Sequence, residues 1–164
     1  MRAPIAPSVN TATQTPSPAP KDTDEYTKRK KEAGKDVSQL WKLYEWCKEQ
    51  KKEYLPVAFP GFSWSNLRPK SPLDEIPRRK GQFLWKQYAE AKNAGATMLY
   101  QAMFDEMDEG TAIFKCTNDP PTGKSRFLTL EGLPSDHYLW LTGQGGRLLR
   151  DEIKATEAPP TRGK

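Results

Sequence analysis

The chain has 164 residues, with 26 Lys and Arg against 21 Asp and Glu and a formal net charge of +5; 35% of it is hydrophobic and 29% charged. That length allows one ordinary domain with little room for a second. It contains no run of roughly 18 apolar residues to cross a membrane and no apolar stretch of a secretory signal near its start, and two cysteines outside any CxxC with one histidine, His137, argue against a disulfide framework or a zinc site.

Composition divides the chain in three. Residues 1–35 are rich in Pro, Ala, Thr and Ser and read as a disordered arm, because they cannot bury enough surface to offset the entropy of ordering. The arm carries seven Lys/Arg against four Asp/Glu. Its run Lys28-Arg29-Lys30-Lys31 suits nucleic acid or an anionic surface, and equally a solvated tether. Residues 36–150 hold all five Trp and all six Phe and read as the globular segment. Residues 151–164 read as a short disordered tail.

Within the globular segment, Asp36 to Gln50 is predicted to be an amphipathic helix, with Val37, Leu40, Trp41, Tyr44 and Cys47 at helical spacing and Asp36 as its cap. Tyr54 to Phe59 is a short apolar run ending at Pro60-Gly61 and reads as a buried strand, against which Pro56 counts. Phe62 to Arg79 is a long proline-punctuated loop. Gly81 to Ala94 is a second helix, stopped by Gly95. Thr97 to Phe104 is a second strand and Asp105 to Leu133 a second long loop. Ser135 caps a last helix, Asp136 to Arg150, weakened by Gly143, Gly145 and Gly146.

Strands alternating with helices imply an α/β fold with parallel strands and right-handed crossovers. Sites in such folds form at the carboxyl ends of strands, where both long loops begin. Two strands alone make no stable parallel sheet, so the chain reads as part of a larger α/β architecture. A complete (β/α)₈ barrel takes about 250 residues and does not fit within it.

The acidic run Asp105-Glu106-Met107-Asp108-Glu109-Gly110 follows the second strand. Like charges this close raise one another's pKa, which suits a pair made of one protonated acid and one ionised base. Cleavage of a glycosidic bond needs such a pair. Glu106 and Glu109 are three apart, so one turn of backbone aims both the same way. From spacing alone, a solvated acidic turn, a catalytic pair and a Mg²⁺ or Ca²⁺ site all remain open. Phe62 and Trp64, after the first strand, suit stacking on a sugar ring or packing beneath their own loop. His137, in the first turn of the last helix, reads as structural, and Cys116 has no His motif beside it. Gly123-Lys124-Ser125 resembles the end of a P-loop, but position 118 is Asn where the motif needs Gly.

Three ordered segments, VAFPGFSWSNL (57–67), GATMLYQAMFDEMDEGTAIFKCTNDPP (95–121) and LEGLPSDHYLWLTGQGGRLLR (130–150), resemble the C-terminal part of glycoside hydrolase family 71/99-like proteins of the xylosidase/arabinosidase type. The resemblance covers roughly residues 37–150. It implies the C-terminal βαβα portion of a (β/α)₈ barrel, incomplete in this chain, with Tyr54–Phe59 and Thr97–Phe104 as the seventh and eighth strands. It also implies a product or gene model shortened on its upstream side.

In family 99 the catalytic carboxylates lie in a motif Trp-Asn-Glu-Trp-His-Glu-Gly-Thr, which aligns with residues 104–111, Phe-Asp-Glu-Met-Asp-Glu-Gly-Thr. The resemblance thus implies Glu109 as acid/base and Glu106 as the residue assisting attack at the anomeric centre. Phe62, Trp64, Asp105 and Asp108 would contact a carbohydrate substrate, with no metal and no cofactor. The departures at Phe104, Asp105, Met107 and Asp108 put mannose specificity in question.

Three expectations follow. The first is a glycoside hydrolase-like domain, impaired as this fragment. The second is a non-catalytic binding or oligomerising module, self-associating through exposed strand edges. The third, a nucleic-acid binder, rests only on Lys28–Lys31 and stands last.

Overall fold

The computed structural model describes residues 38–119, 121 and 123–163. The arm of residues 1–35, its basic run and the Asp36 cap lie outside the described residues. Helix α1 spans Ser38–Glu49, strand β1 Val57–Ala58, helix α2 Gln82–Ala94, strand β2 Tyr100–Gln101 and helix α3 His137–Leu149; a 3₁₀ turn, Arg79–Gly81, leads into α2. All three helices start and stop within two residues of where their periodicity places them. Asp136, rather than Ser135, stands at the N-cap of α3, and its side chain makes no capping bond. Gly95, at φ 101°, closes α2. Its N–H donates to Lys92 O at 3.0 Å and the Ala96 N–H to Ala91 O at 2.9 Å, the paired bonds of a Schellman stop.

The strands are parallel, with Val57 opposite Tyr100 and Ala58 opposite Gln101. With α2 between them they form one βαβ unit. Both are shorter than their apolar runs. The Tyr100 N–H donates to Pro56 O and the Ala102 N–H to Ala58 O, each at 2.8 Å. Pro56 therefore serves the ladder through its carbonyl, and its missing N–H costs nothing there. Beyond Ala102 the chain leaves the sheet and bonds to its own return: Ile113 and Phe114 both donate to Phe104 O at 3.0 Å. The Ala102–Met103 peptide is cis.

The core lies between α2 and α3. Leu84, Trp85 and Tyr88 of α2 meet Tyr138, Leu141 and Leu148 of α3, with Ala58, Ile113 and Leu130 closing the cluster. Burying side chains of this size contributes about 1.5–3 kcal/mol each, before ordering entropy is set against it. Gly145 has a packing reason to be glycine. A Cβ there would sit 2.4 Å from the Tyr88 ring, so the helices approach as they do only without a side chain. Helix α1 docks through Trp41, which is fully buried and donates from Nε1 to Glu90 Oε2 at 3.1 Å.

The sheet has two unlike faces. Ala58 is buried toward the helices, whereas Val57 and Tyr100 are 55% and 48% exposed on the other side. The described residues thus form a small α/β unit with helices packed on one face of a two-stranded parallel sheet. None of its helices is long and apolar enough to cross a membrane.

Residues 151–163, which composition sets apart as a tail, carry no helix or strand but touch the body. Trp85 Nε1 donates to Thr156 O at 2.8 Å. Arg162 donates to both carboxylate oxygens of Asp136 at 2.6 and 2.9 Å and lies 5.4 Å from the Trp140 ring. These contacts join residues distant in sequence, which composition does not reveal.

Candidate active site

Loops leaving the carboxyl ends of β1 and β2 enclose an open cavity of about 440 Å³. Phe59, Phe62 and Ile76 come from the first loop and its return, and Ala102, Met103, Glu106, Glu109 and Thr111 from the second. The wall is mostly apolar, with two carboxylates facing into it, which is the composition of a small-molecule site with a few polar groups that fix orientation. Phe62 is set by an isolated antiparallel bridge to Ile76, with N–H to O distances of 3.0 Å in both directions.

The carboxylates sit on a tight turn. The Gly110 N–H donates to Met107 O at 3.1 Å, and Thr111 and Ala112 both donate to Glu106 O at 3.1 Å. Gly110 has φ 67°, and a Cβ there would meet Leu128 Cδ1 at 2.6 Å, so both conformation and space require glycine. Glu109 lies within hydrogen-bonding reach of Glu106. Its carboxyl is held above the ordinary range, first by desolvation and then by the negative charges of Glu106 and Asp108. In this arrangement the two carboxylates face each other across the turn, closer than a pair that flanks a ligand. Glycosidases hold their pair about 5–5.5 Å apart when retaining and about 6.5–9.5 Å when inverting.

The turn is held from two sides. On one, the Ser63 N–H donates to Glu109 O at 2.8 Å, and Asn66 Nδ2 donates to Asp108 O at 3.2 Å and Arg126 O at 3.0 Å. On the other lies Arg78, only 4% exposed. Its Nε and Nη2 donate to Gly110 O at 3.2 and 2.7 Å, and Nη2 also donates to Ala112 O at 3.0 Å. Its guanidinium carbon lies 4.6 Å from the Tyr138 ring centre. Arg78 escapes sequence reasoning, because nothing in the loop Phe62–Arg79 marks this cation as buried.

Of the residues singled out from sequence, Phe62, Glu106 and Glu109 meet at the cavity. Trp64, Asp105 and Asp108 do not line it. Trp64 packs edge-on against Phe62, centroids 4.8 Å apart, and Arg68 lies 4.4 Å over its ring. Asp105 and Asp108 are exposed. His137 packs against Tyr138 and Trp140, and burial holds its imidazole below the ordinary range. Among the described residues no three His, Cys, Asp or Glu side chains gather as a metal site requires.

No family model matches the chain, and neither does any curated protein. Solved structures do. A family 99 endo-α-mannosidase from Bacteroides thetaiotaomicron superposes with a TM-score of 0.63 at 24% identity over 72% of this chain and 34% of that one. The same enzyme in complex with BIS-TRIS-Propane gives 0.62 at 23% identity over 70% and 35%. Nothing in these likenesses supports a xylosidase or arabinosidase. The chain spans about a third of the length of the structures it matches. At this identity the likeness is one of fold: the described residues fold like a portion of a glycoside hydrolase.

Proposed function

We propose that the chain is the C-terminal βαβα part of a (β/α)₈-barrel glycoside hydrolase, divided into an arm (1–35), a barrel segment (36–150) and a C-terminal segment (151–164). Its carbohydrate substrate enters the cavity between the two loops and parts the Glu106–Glu109 pair. Glu109, whose carboxyl is raised by desolvation and by the charges of Glu106 and Asp108, gives a proton to the glycosidic oxygen as the bond to the anomeric carbon breaks. Glu106 assists attack at that carbon, and Phe62 supplies an apolar face for a sugar ring. The observation that carries this reading is the meeting of both carboxylates in one apolar cavity at the carboxyl ends of two parallel strands, in a fold shared with the endo-α-mannosidase structures.

A barrel site draws on several strands, so the 164-residue chain by itself is expected to be impaired. The open sheet face with Val57 and Tyr100 favours a second reading, a binding or self-associating module without turnover. Hydrolysis of aryl α-glycosides by the protein and its Glu109→Gln variant separates the two. The first reading expects a loss of about 10²–10⁴-fold in Glu109→Gln, the usual worth of a general acid. Equal turnover of both proteins overturns it.

A further inference from the structure

We propose that Arg78 is a positioning residue of this site, whose hydrogen bonds to the Gly110 and Ala112 carbonyls fix the backbone that carries Glu109. The inference rests on the reading of Glu106 and Glu109 as the working pair. A cation at 4% exposure is costly unless its partners compensate, and well-packed apolar residues usually serve stability as well or better. Arg78 has no salt bridge among the described residues. Its Nε and Nη2 donate to two neutral carbonyls that begin one residue after Glu109, and its buried Nη1 has no hydrogen-bond partner among the described residues. A planar fork reaches two carbonyls at once, which a lysine ammonium on a flexible stem does not.

The surroundings are shaped for it. A Cβ at Gly61 would lie 2.6 Å from Arg78 Cγ, so glycine there leaves the stem its path. The guanidinium lies over Tyr138, whose hydroxyl donates to Glu131 Oε2 at 2.7 Å; the same oxygen accepts the Lys80 N–H at 2.7 Å. The acidic turn is thereby tied through Arg78 to α3, while Ser63 holds Glu109 O from the opposite side. The charged groups acting on Arg78 are Glu131 and Asp74, with Tyr138 against it, and those on Glu109 are Glu106 and Asp108.

The test follows the Glu106 and Glu109 carboxyl carbons by NMR titration in the full chain, in Arg78→Lys and in Gly145→Ala. The last strains the helix interface without touching the turn. In the unsubstituted chain the Glu109 midpoint is expected to lie above the ordinary carboxylate range. In Arg78→Lys its midpoint is expected to fall back into that range, and in Gly145→Ala to stay. A midpoint unmoved in Arg78→Lys, or moved equally in both variants, overturns the proposal. Should Arg78→Lys not fold, the Arg78 Nε–H resonance of the unsubstituted chain decides. A shift at the Glu109 midpoint supports the coupling, and a flat response overturns it. None of these readouts needs turnover. A chain that shows the coupling but hydrolyses nothing sinks the hydrolase reading alone, and a chain that hydrolyses without the coupling sinks the role of Arg78 alone.

Discussion

Across the α2–α3 interface, Trp85, Tyr88, Leu141 and Leu148 are each at most 3% exposed, whereas on the outer face of the sheet Val57 and Tyr100 are 55% and 48% exposed. The side chains are comparably apolar, so hydrophobicity alone does not decide which are covered. The helices find a second layer within the described residues, and the outer sheet face does not. The site lies at the seam between them. Its walls leave the strand ends, and its acidic turn is pinned toward the helices through Arg78 and Tyr138. Substitutions on the two sides should therefore differ sharply in what they cost.

The largest expected effect is on the closed side. Trp85→Ala leaves a cavity at a fully buried position and removes the Nε1 bond to Thr156 O. We expect a loss of about 3–5 kcal/mol by denaturant titration, the usual cost of truncating a buried Trp. A loss below about 1 kcal/mol, the level of surface changes, would mean that the helix interface is not the core it looks.

Gly145→Ala comes next. The added methyl meets the Tyr88 ring at 2.4 Å, and overpacking of this kind costs about 1–3 kcal/mol. Helix propensity acts the other way, by about 1 kcal/mol in favour of Ala. The sign of the change in midpoint thus tells whether packing or propensity governs this residue.

This position also shows where sequence reading stops. Gly143, Gly145 and Gly146 look alike as weak points in a helix. A Cβ would meet no atom within 4 Å at Gly143, only the far end of Arg150 at Gly146, and the Tyr88 ring at Gly145. The helices were legible because Phe83, Leu84, Tyr88 and Ala91, and then Tyr138, Leu141 and Leu148, repeat at the helical period, which needs no knowledge of the partner. Strand lengths were not. The apolar run 97–104 continues past the ladder because Met103 and Phe104 turn to pair with residues 111–114, a choice made by loop return. At the site, the Glu106–Glu109 spacing was legible because three residues make one turn. Arg78 was hidden because its burial depends on Gly61 and the Gly110 carbonyl, neither near it in sequence. Trp64 and Phe62 looked equivalent, and only the Phe62–Ile76 bridge turns one of them into the cavity.

On the open side, Tyr100→Ser and Val57→Ser should change stability by no more than about 0.5 kcal/mol, because both side chains are half exposed. If the bare face and strand edges drive self-association, the same variants lower the sedimentation coefficient at high protein concentration. A loss above about 1.5 kcal/mol at either position would show that the face is covered in solution and would erase the contrast between the two regions.

The smallest expected effect concerns the C-terminal segment, which borrows its order from the closed side. Hydrogen bonds from Arg162 hold the Asp136 carboxyl down at about 2, from an ordinary 3.8. A carboxylate depressed in the folded state stabilises it above its ordinary value, and that contribution is lost as pH falls toward the depressed one. Docking of Arg162 should therefore weaken as pH falls from about 3.8 to about 2. Trp140 emission, read beneath the Arg162 guanidinium, should change across that window and not above it. Because the pair is solvent-exposed, salt should blunt the change. Asp136→Asn should abolish it, while the Trp85–Thr156 bond, which has no titrating group, keeps the middle of the segment in place. An emission step that survives in Asp136→Asn would mean that another carboxylate near Trp140 titrates in this window, and would overturn the Asp136–Arg162 pair as its cause.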